Sequence, residues 1–341
     1  MGTALLRTSS SGRQDRHRIL VCLDRSASAE LCVPFAVSLA KTFDSNLTLV
    51  HVMQPQRENP ARSASDPLAW EFSRQEAQAY LDRLQGELTE KLGFSVEARL
   101  EQGRPAERIA DLAKELGAGL TVLGSHGEGA APLWNLGSTA QQVLTQLQGS
   151  VFVARSSAGG GPSPIPHRIL VPLDGSRRSE SVLPTAARLA HVHGAKLLLV
   201  NVVQEPLPTA LLSAAEDMLL AQSLASRLES SALRYLTLLK EQLGREGTTV
   251  EVFVMRHVNE RQCLLELSER ESADLIILSA HGSACSSAGS FGSVTNYLLN
   301  HSLVPLMVLQ DLPEAGTRRS KDLDSEPPPP PLRASYAAER M

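Results

Sequence analysis

The segment His17-Arg18-Ile19-Leu20-Val21-Cys22-Leu23-Asp24 returns 150 positions later as His167-Arg168-Ile169-Leu170-Val171-Pro172-Leu173-Asp174. At the same offset Pro34 matches Pro184, Ala40 matches Ala190, and Leu49-Val50-His51-Val52 matches Leu199-Val200-Asn201-Val202. Farther on, Ser125-His126-Gly127 corresponds to Ala280-His281-Gly282 and Gly137-Ser138 to Gly292-Ser293, now 155 positions apart, so the second copy gained residues in its middle. A chain that says the same thing twice over such a span folds as two homologous domains in tandem. Its 341 residues leave each copy long enough to bury a core of its own. We expect domains at 17–155 and 167–310 and a Gly/Pro/Ser linker at 156–166. Tails at 1–16 and 311–341 are expected to be disordered, the second being rich in charge and carrying the run Pro327 to Pro331, too polar to build a core.

Within each copy, short and nearly continuous apolar runs mark strands buried on both faces: Ile19–Leu23, Leu47–Val52, Leu120–Leu123 and Val151–Ala154, then Ile169–Leu173, Leu197–Val203, Leu275–Leu278 and Leu306–Leu309. Val96–Leu100 and Val250–Val254 alternate more weakly, as strands at a sheet edge do. Between them apolar residues recur at helical spacing, at Ala77, Leu81, Leu84, Leu88 and Leu92 and at Leu224, Leu228, Tyr235 and Leu239, which predicts helices with these stripes in the core. Strand and helix in alternation mean an α/β fold with a parallel sheet covered on both faces.

A formal net charge of −4 gives no basic face for nucleic acid. No apolar run approaches the roughly 18 residues of a membrane span, and the polar, Ser-rich stretch from Met1 to Arg16 lacks a secretory h-region, so a cytoplasmic protein is expected. Cys22, Cys32, Cys263 and Cys285 are too scattered for a disulfide framework or a zinc site, and Cys22 reads as a buried apolar thiol.

In an open doubly wound sheet, ligands bind beyond the carboxyl ends of the strands. There the first strand of each copy ends in an acid, Asp24 or Asp174. The fourth strand of copy one runs into Gly124-Ser125-His126-Gly127, and Gly137-Ser138 then opens a helix through Ala140, Val143, Leu144 and Leu147. Glycines admit a close approach of backbone to ligand, and a helix N-terminus offers unpaired N–H groups to phosphate. The chain contains no Gly-Lys-Ser/Thr and no Gly-x-Gly-x-x-Gly after a first strand, so neither standard nucleotide loop is present.

The pattern Gly-x-x-Gly-x(9)-Gly-Ser after a fourth strand, with Asp closing the first, resembles the universal stress protein family over both copies. The resemblance implies two flavodoxin-like domains with five-stranded parallel sheets of order 3-2-1-4-5. In the ATP-binding branch of the family it also implies adenosine contacts from Asp24 and Val52, with Asp174 and Val202 in copy two. The phosphates would then fall on Gly124, Gly127, Gly137 and Ser138, and on Gly282, Gly292 and Ser293 in copy two. It further implies pairing through the last strands, Val151–Ala154 with Leu306–Leu309, inside one molecule, which hides two sheet edges. A homodimer and an unidentified protein partner are compatible with this reading.

Copy two has Ser279 in place of Gly124 and Val258 in place of Gly103. If position 279 requires a left-handed backbone, strain there makes domain 1 the better nucleotide site. Neither loop, 128–136 or 283–291, carries Lys or Arg, so a divalent ion such as Mg2+ or a remote arginine such as Arg25 has to assist, and ADP or AMP suits the crevice almost as well as ATP. Asp24 and Asp174 also suit a helix-capping role, His126 and His281 a structural hydrogen bond, and Trp134 packing. The leading expectation is a non-enzymatic, adenine-nucleotide-binding stress or signalling module. The alternatives are a nucleotide-free interaction module and a slow ATPase.

Overall fold

The structure, a computed structural model, describes residues 17–54, 67–126, 136–155, 163–205, 215–283 and 291–310. The two tails, positions 156–162 of the expected linker, Gly127, Trp134 and Cys285 lie outside the described residues.

The first copy runs β1 (Arg18–Leu23), α1 (Ala27–Glu30), α2 (Cys32–Phe43), β2 (Asn46–Met53), α3 (Pro67–Leu92), β3 (Glu97–Gln102), α4 (Pro105–Glu115), β4 (Ala118–Gly124), α5 (Ser138–Gln146) and β5 (Ser150–Ala154). The second repeats it as β6 (Arg168–Pro172), α6 (Arg177–Glu180), α7 (Leu183–His193), β7 (Lys196–Gln204), α8 (Ala215–Arg245), β8 (Thr249–His257), α9 (Glu260–Arg270), β9 (Leu275–Ser279), α10 (Ser293–His301) and β10 (Leu306–Leu309). Each copy has the flavodoxin-like strand order 3-2-1-4-5, and the two sheets join into one of ten strands, β3-β2-β1-β4-β5-β10-β9-β6-β7-β8. The weakly alternating strands β3 and β8 are its two edges.

Buried strands alternate their side chains between two apolar layers. Ile19, Val21 and Leu23 point to the layer that holds Phe35, Leu39, Leu81 and Leu84 of α2 and α3, with Leu189 and Leu236 of α7 and α8. Leu20 points the other way, to Ile109, Leu112, Val143 and Leu144 of α4 and α5, with Leu264 and Leu298 of α9 and α10 in the same layer. The α3 stripe is core, with Ala77, Leu81, Leu84 and Leu88 buried and Leu92 partly so. The α8 stripe is half as expected: Tyr235 and Leu239 are partly buried against the core, beside the buried Ala225, Leu236 and Leu243, whereas Leu224 and Leu228 are 57% and 50% exposed. Leucine is so frequent along α8 that several i, i+4 rows exist, and packing on β7 and β8 selects the row through Ala225 and Leu236.

The copies meet at the antiparallel pair β5–β10, with Leu306 opposite Val153, Met307 opposite Phe152 and Val308 opposite Val151. Phe152 packs on Phe35 with ring centroids 5.1 Å apart. Over one sheet face Arg188 of α7 donates from Nε to the Thr42 carbonyl at 2.9 Å. His193 places Nε2 3.0 Å from Thr42 Oγ1 and 3.2 Å from Ser38 Oγ, and burial lowers its pKa. Over the other face Gln141 reaches Asn300 at 3.3 Å, and the buried Arg155 guanidinium donates to the Leu299 carbonyl. Burial lowers the Arg155 pKa to about 10.

Candidate functional site

β1 and β4 lie side by side, while the chain leaves them for opposite ends of the sheet; crossovers of that kind leave a crevice beyond their carboxyl ends. In domain 1 a cavity of about 360 Å³ occupies it, and Asp24, Val52, Gly124, Gly137 and Ser138 all line it. Five of the six residues singled out in this copy therefore converge, the sixth being Gly127, outside the described residues.

Local chemistry builds the crevice. Asp24 Oδ1 accepts from the Ser26 N–H at 3.0 Å and from the Ser26 hydroxyl at 2.5 Å, an Asx turn that reverses the chain after β1. Ser26 in turn caps α1, its Oγ accepting from the Ala29 N–H at 3.0 Å. The cap of α1 is thus Ser26, and Asp24 shapes the turn beside the cavity. The Gly137 N–H donates to the Ser125 carbonyl at 2.8 Å and the Ser125 N–H to the Ala154 carbonyl at 3.0 Å, which ties the glycine step to the end of β5. Among the described residues no side chain caps α5, whose first turn forms the wall at Ser138, Thr139 and Ala140. His51 holds the end of β1 through Nδ1 and the Leu23 carbonyl at 2.8 Å; Asn201 does the same in domain 2, donating to Leu173 at 2.7 Å.

Cys22 packs against the core as an unreactive apolar thiol, half-buried at the cavity lining, and desolvation pushes its pKa up to about 12. One expectation changes here. Arg25 does not line the cavity; its guanidinium lies 3.6 Å from Glu76 of α3. His126 does line it, with Nδ1 3.0 Å from Ser125 Oγ and a buried Nε2 that has no protein partner.

In domain 2 a larger cavity of about 690 Å³ is lined by Asp174, Val202, Gly282, Gly292 and Ser293, every residue expected there. Asp174 accepts from the Ser176 N–H at 2.9 Å and, across the crevice, from the Ser283 N–H at 2.7 Å. Burial works to raise its pKa, but the hydrogen bonds from Ser176, Ser179 and Ser283 outweigh it and hold the carboxyl well below the usual range. A Cβ on Gly282 would stand 2.6 Å from Asp174 Oδ2, so only glycine leaves room for this contact.

The strain expected at Ser279 is absent. Neither Gly124 nor Ser279 has a positive φ, and the Ser279 hydroxyl donates to the His281 carbonyl at 2.7 Å. Gly103 does have φ +138, but Val258 keeps out of that region, so the backbone itself differs between the copies. Among the described residues neither cavity is lined by Lys or Arg, and no group of three or more His, Cys, Asp or Glu is placed to hold a metal.

A profile of the universal stress protein family matches residues 15–155 and again residues 166–310. The chain belongs to the universal stress protein family. A universal stress protein of Mycolicibacterium smegmatis is 25% identical over 301 residues, covering 86% of this chain and 96% of that protein. The crystal structure of a universal stress protein from Archaeoglobus fulgidus DSM 4304 superposes with a TM-score of 0.64 at 18% identity, over 86% of this chain and 98% of that one, and shows the shared fold. Among the described residues no helix of this universal stress protein is long and apolar enough to cross a membrane. Sequence reasoning missed the part played in the two crevices by His51 and Asn201, Gln54, Thr139, Tyr235 and Glu260. The substitution of Pro105 by Glu260 between the copies was the one available signal for the last of these.

Proposed function

We propose that the domain 1 crevice binds an adenine nucleotide, ATP, ADP or AMP, and that the protein works as a non-enzymatic, cytoplasmic stress-response or signalling module whose occupied state presents a different surface to a protein partner. The observation that carries this reading is the convergence of Asp24, Val52 and the uncapped start of α5 at Gly137-Ser138 on one cavity. A carboxylate beside the turn suits ribose hydroxyls, apolar Val52 and Ile109 suit the base, and first-turn amides suit phosphate. With no lysine or arginine among the described wall residues, a Mg2+ held by the phosphates themselves would supply the missing positive charge.

Domain 1 is the better site on electrostatic grounds rather than backbone strain. The domain 2 wall carries two carboxylates, Asp174 and Glu260, against the single Asp24 in the described wall of domain 1. Its Ser283 amide already serves Asp174 instead of a phosphate. The same lack of cations supports a second reading, an interaction module with no nucleotide. A slow ATPase is disfavoured because no lysine and no evident nucleophile stand in the described wall.

Calorimetric titration of the full chain with ATP, ADP and AMP tests the proposal; no heat at millimolar ligand sinks it. Gly137→Asp places an anion where the phosphates would sit while supplying α5 with a good N-cap, so it should remove most binding and leave the fold intact. Gly292→Asp should change the stoichiometry little. Equal losses from both would overturn the ranking of the domains.

A further inference from the structure

The two cavities have diverged, and the second is no mere duplicate of the first. Its wall includes Leu228, Ala232 and Tyr235 from α8, whereas no residue of the counterpart α3 lines the first. Leu228 is half exposed at this wall, an apolar side chain that the described residues leave partly uncovered. Val202, Val203 and Leu264 continue the apolar surface.

Against this surface stand two carboxylates. Glu260 opens α9 and lines the cavity with Asp174, and it has no ion-pair partner among the described residues. The cation next to it, Arg261, is turned over the Tyr297 ring, its guanidinium carbon 5.9 Å from the centroid. Asp174 stays ionised under its hydrogen bonds from the Ser176 and Ser283 N–H groups and from the Ser176 and Ser179 side chains, so it offers the cavity a fixed negative charge. Desolvation at the cavity wall and the neighbouring Asp174 charge raise the Glu260 pKa, and the Arg261 charge only partly offsets them. A cavity of about 690 Å³ is of ordinary size for a small organic ligand.

We propose that the domain 2 cavity binds a hydrophobic primary amine, its ammonium set between Asp174 and Glu260 and its hydrocarbon body laid over Leu228 and the apolar wall. An ammonium brings positive charge to a described wall that has two carboxylates and no lysine or arginine, and covering Leu228 removes apolar surface from water. The same charges that turn away nucleotide phosphates select this ligand, so the second domain has a specificity of its own. The inference does not depend on nucleotide binding in domain 1.

The test is calorimetric titration of the full-length protein at neutral pH with n-octylamine, and with octanoate as the probe of equal tail and opposite charge. One saturable site for octylamine and none for octanoate is expected. Glu260→Gln, an exposed and conservative change, should weaken octylamine about five- to ten-fold, the effect of one partly screened charge pair. Leu228→Ser should weaken it several-fold, and Gly137→Asp should leave it unchanged. Equal binding of octanoate, heat that never saturates, or an unaltered affinity in Glu260→Gln would overturn the proposal. An unmodified protein that takes octylamine but binds no nucleotide would count against the domain 1 reading alone.

Discussion

Arg25 and Gly175 occupy the same place after the first strand of each copy, with φ of +69 and +78. Only in domain 2 is the left-handed residue a glycine. A side chain in that region costs about 1–2 kcal/mol, which greater chain freedom in the unfolded state partly offsets when glycine replaces it. The Arg25–Glu76 contact at 3.6 Å lies on the surface and contributes little. Arg25→Gly should therefore stabilise the protein by about 0.5 kcal/mol, read as a higher denaturation midpoint at unchanged slope. Cys22 offers a second check. With its pKa pushed up to about 12, almost no thiolate exists at pH 8. Peptide mapping after iodoacetamide treatment at pH 8 should show Cys22 modified far more slowly than a free thiol, and slower still with saturating ATP. Rapid alkylation that ATP leaves untouched would separate Cys22 from the nucleotide site.

Helices and strands were legible in the repeat because each follows from a short-range period: two for strands, 3.6 for helices. Every expected strand is present, and α3 buries the stripe its spacing indicates. α8 keeps only half of its expected stripe in the core, Tyr235 and Leu239. Leu220, Leu224, Leu228 and Leu238 compete with the row through Ala225, Leu236 and Leu243, and no local rule ranks the rows. Leu236→Ala should cost about 2–5 kcal/mol, because the side chain is fully buried and leaves a cavity. Leu224→Ser should stay within about 0.5 kcal/mol, as exposed substitutions do. Urea denaturation of both variants checks the assignment, and similar losses would mean that the N-terminal part of α8 is covered in solution.

The joined sheet sets the character of the whole molecule. β5 and β10 each cover the other's open edge, and Val151, Phe152 and Val153 are all buried. A fragment spanning residues 17–155 would expose that edge together with the α2 face that meets Arg188 and His193. Such a fragment should pair with itself through β5, giving a dimer by sedimentation. A stable monomer would show that the edge needs no cover. The full chain has satisfied this edge internally, so any further self-association uses another surface.

Much of the site was readable as well, since a glycine step, an acid after the first strand and a serine opening a helix each have a local reason to stand at a strand end. Whether they surround one hollow was not. Asp24 and Ser138 are far apart in the chain and meet only because β1 and β4 are neighbours. Glu260 looks like an ordinary first-turn acid until the fold sets it beside Asp174, and Ser279 looks strained until its φ is known. Periodicity and repetition act between neighbours along the chain, so the order of residues alone settles the elements, their duplication and the class of fold. Charge balance in a crevice, and the choice of which leucines face inward, depend on groups brought together through space, and only the packed sheet and its helices decide them.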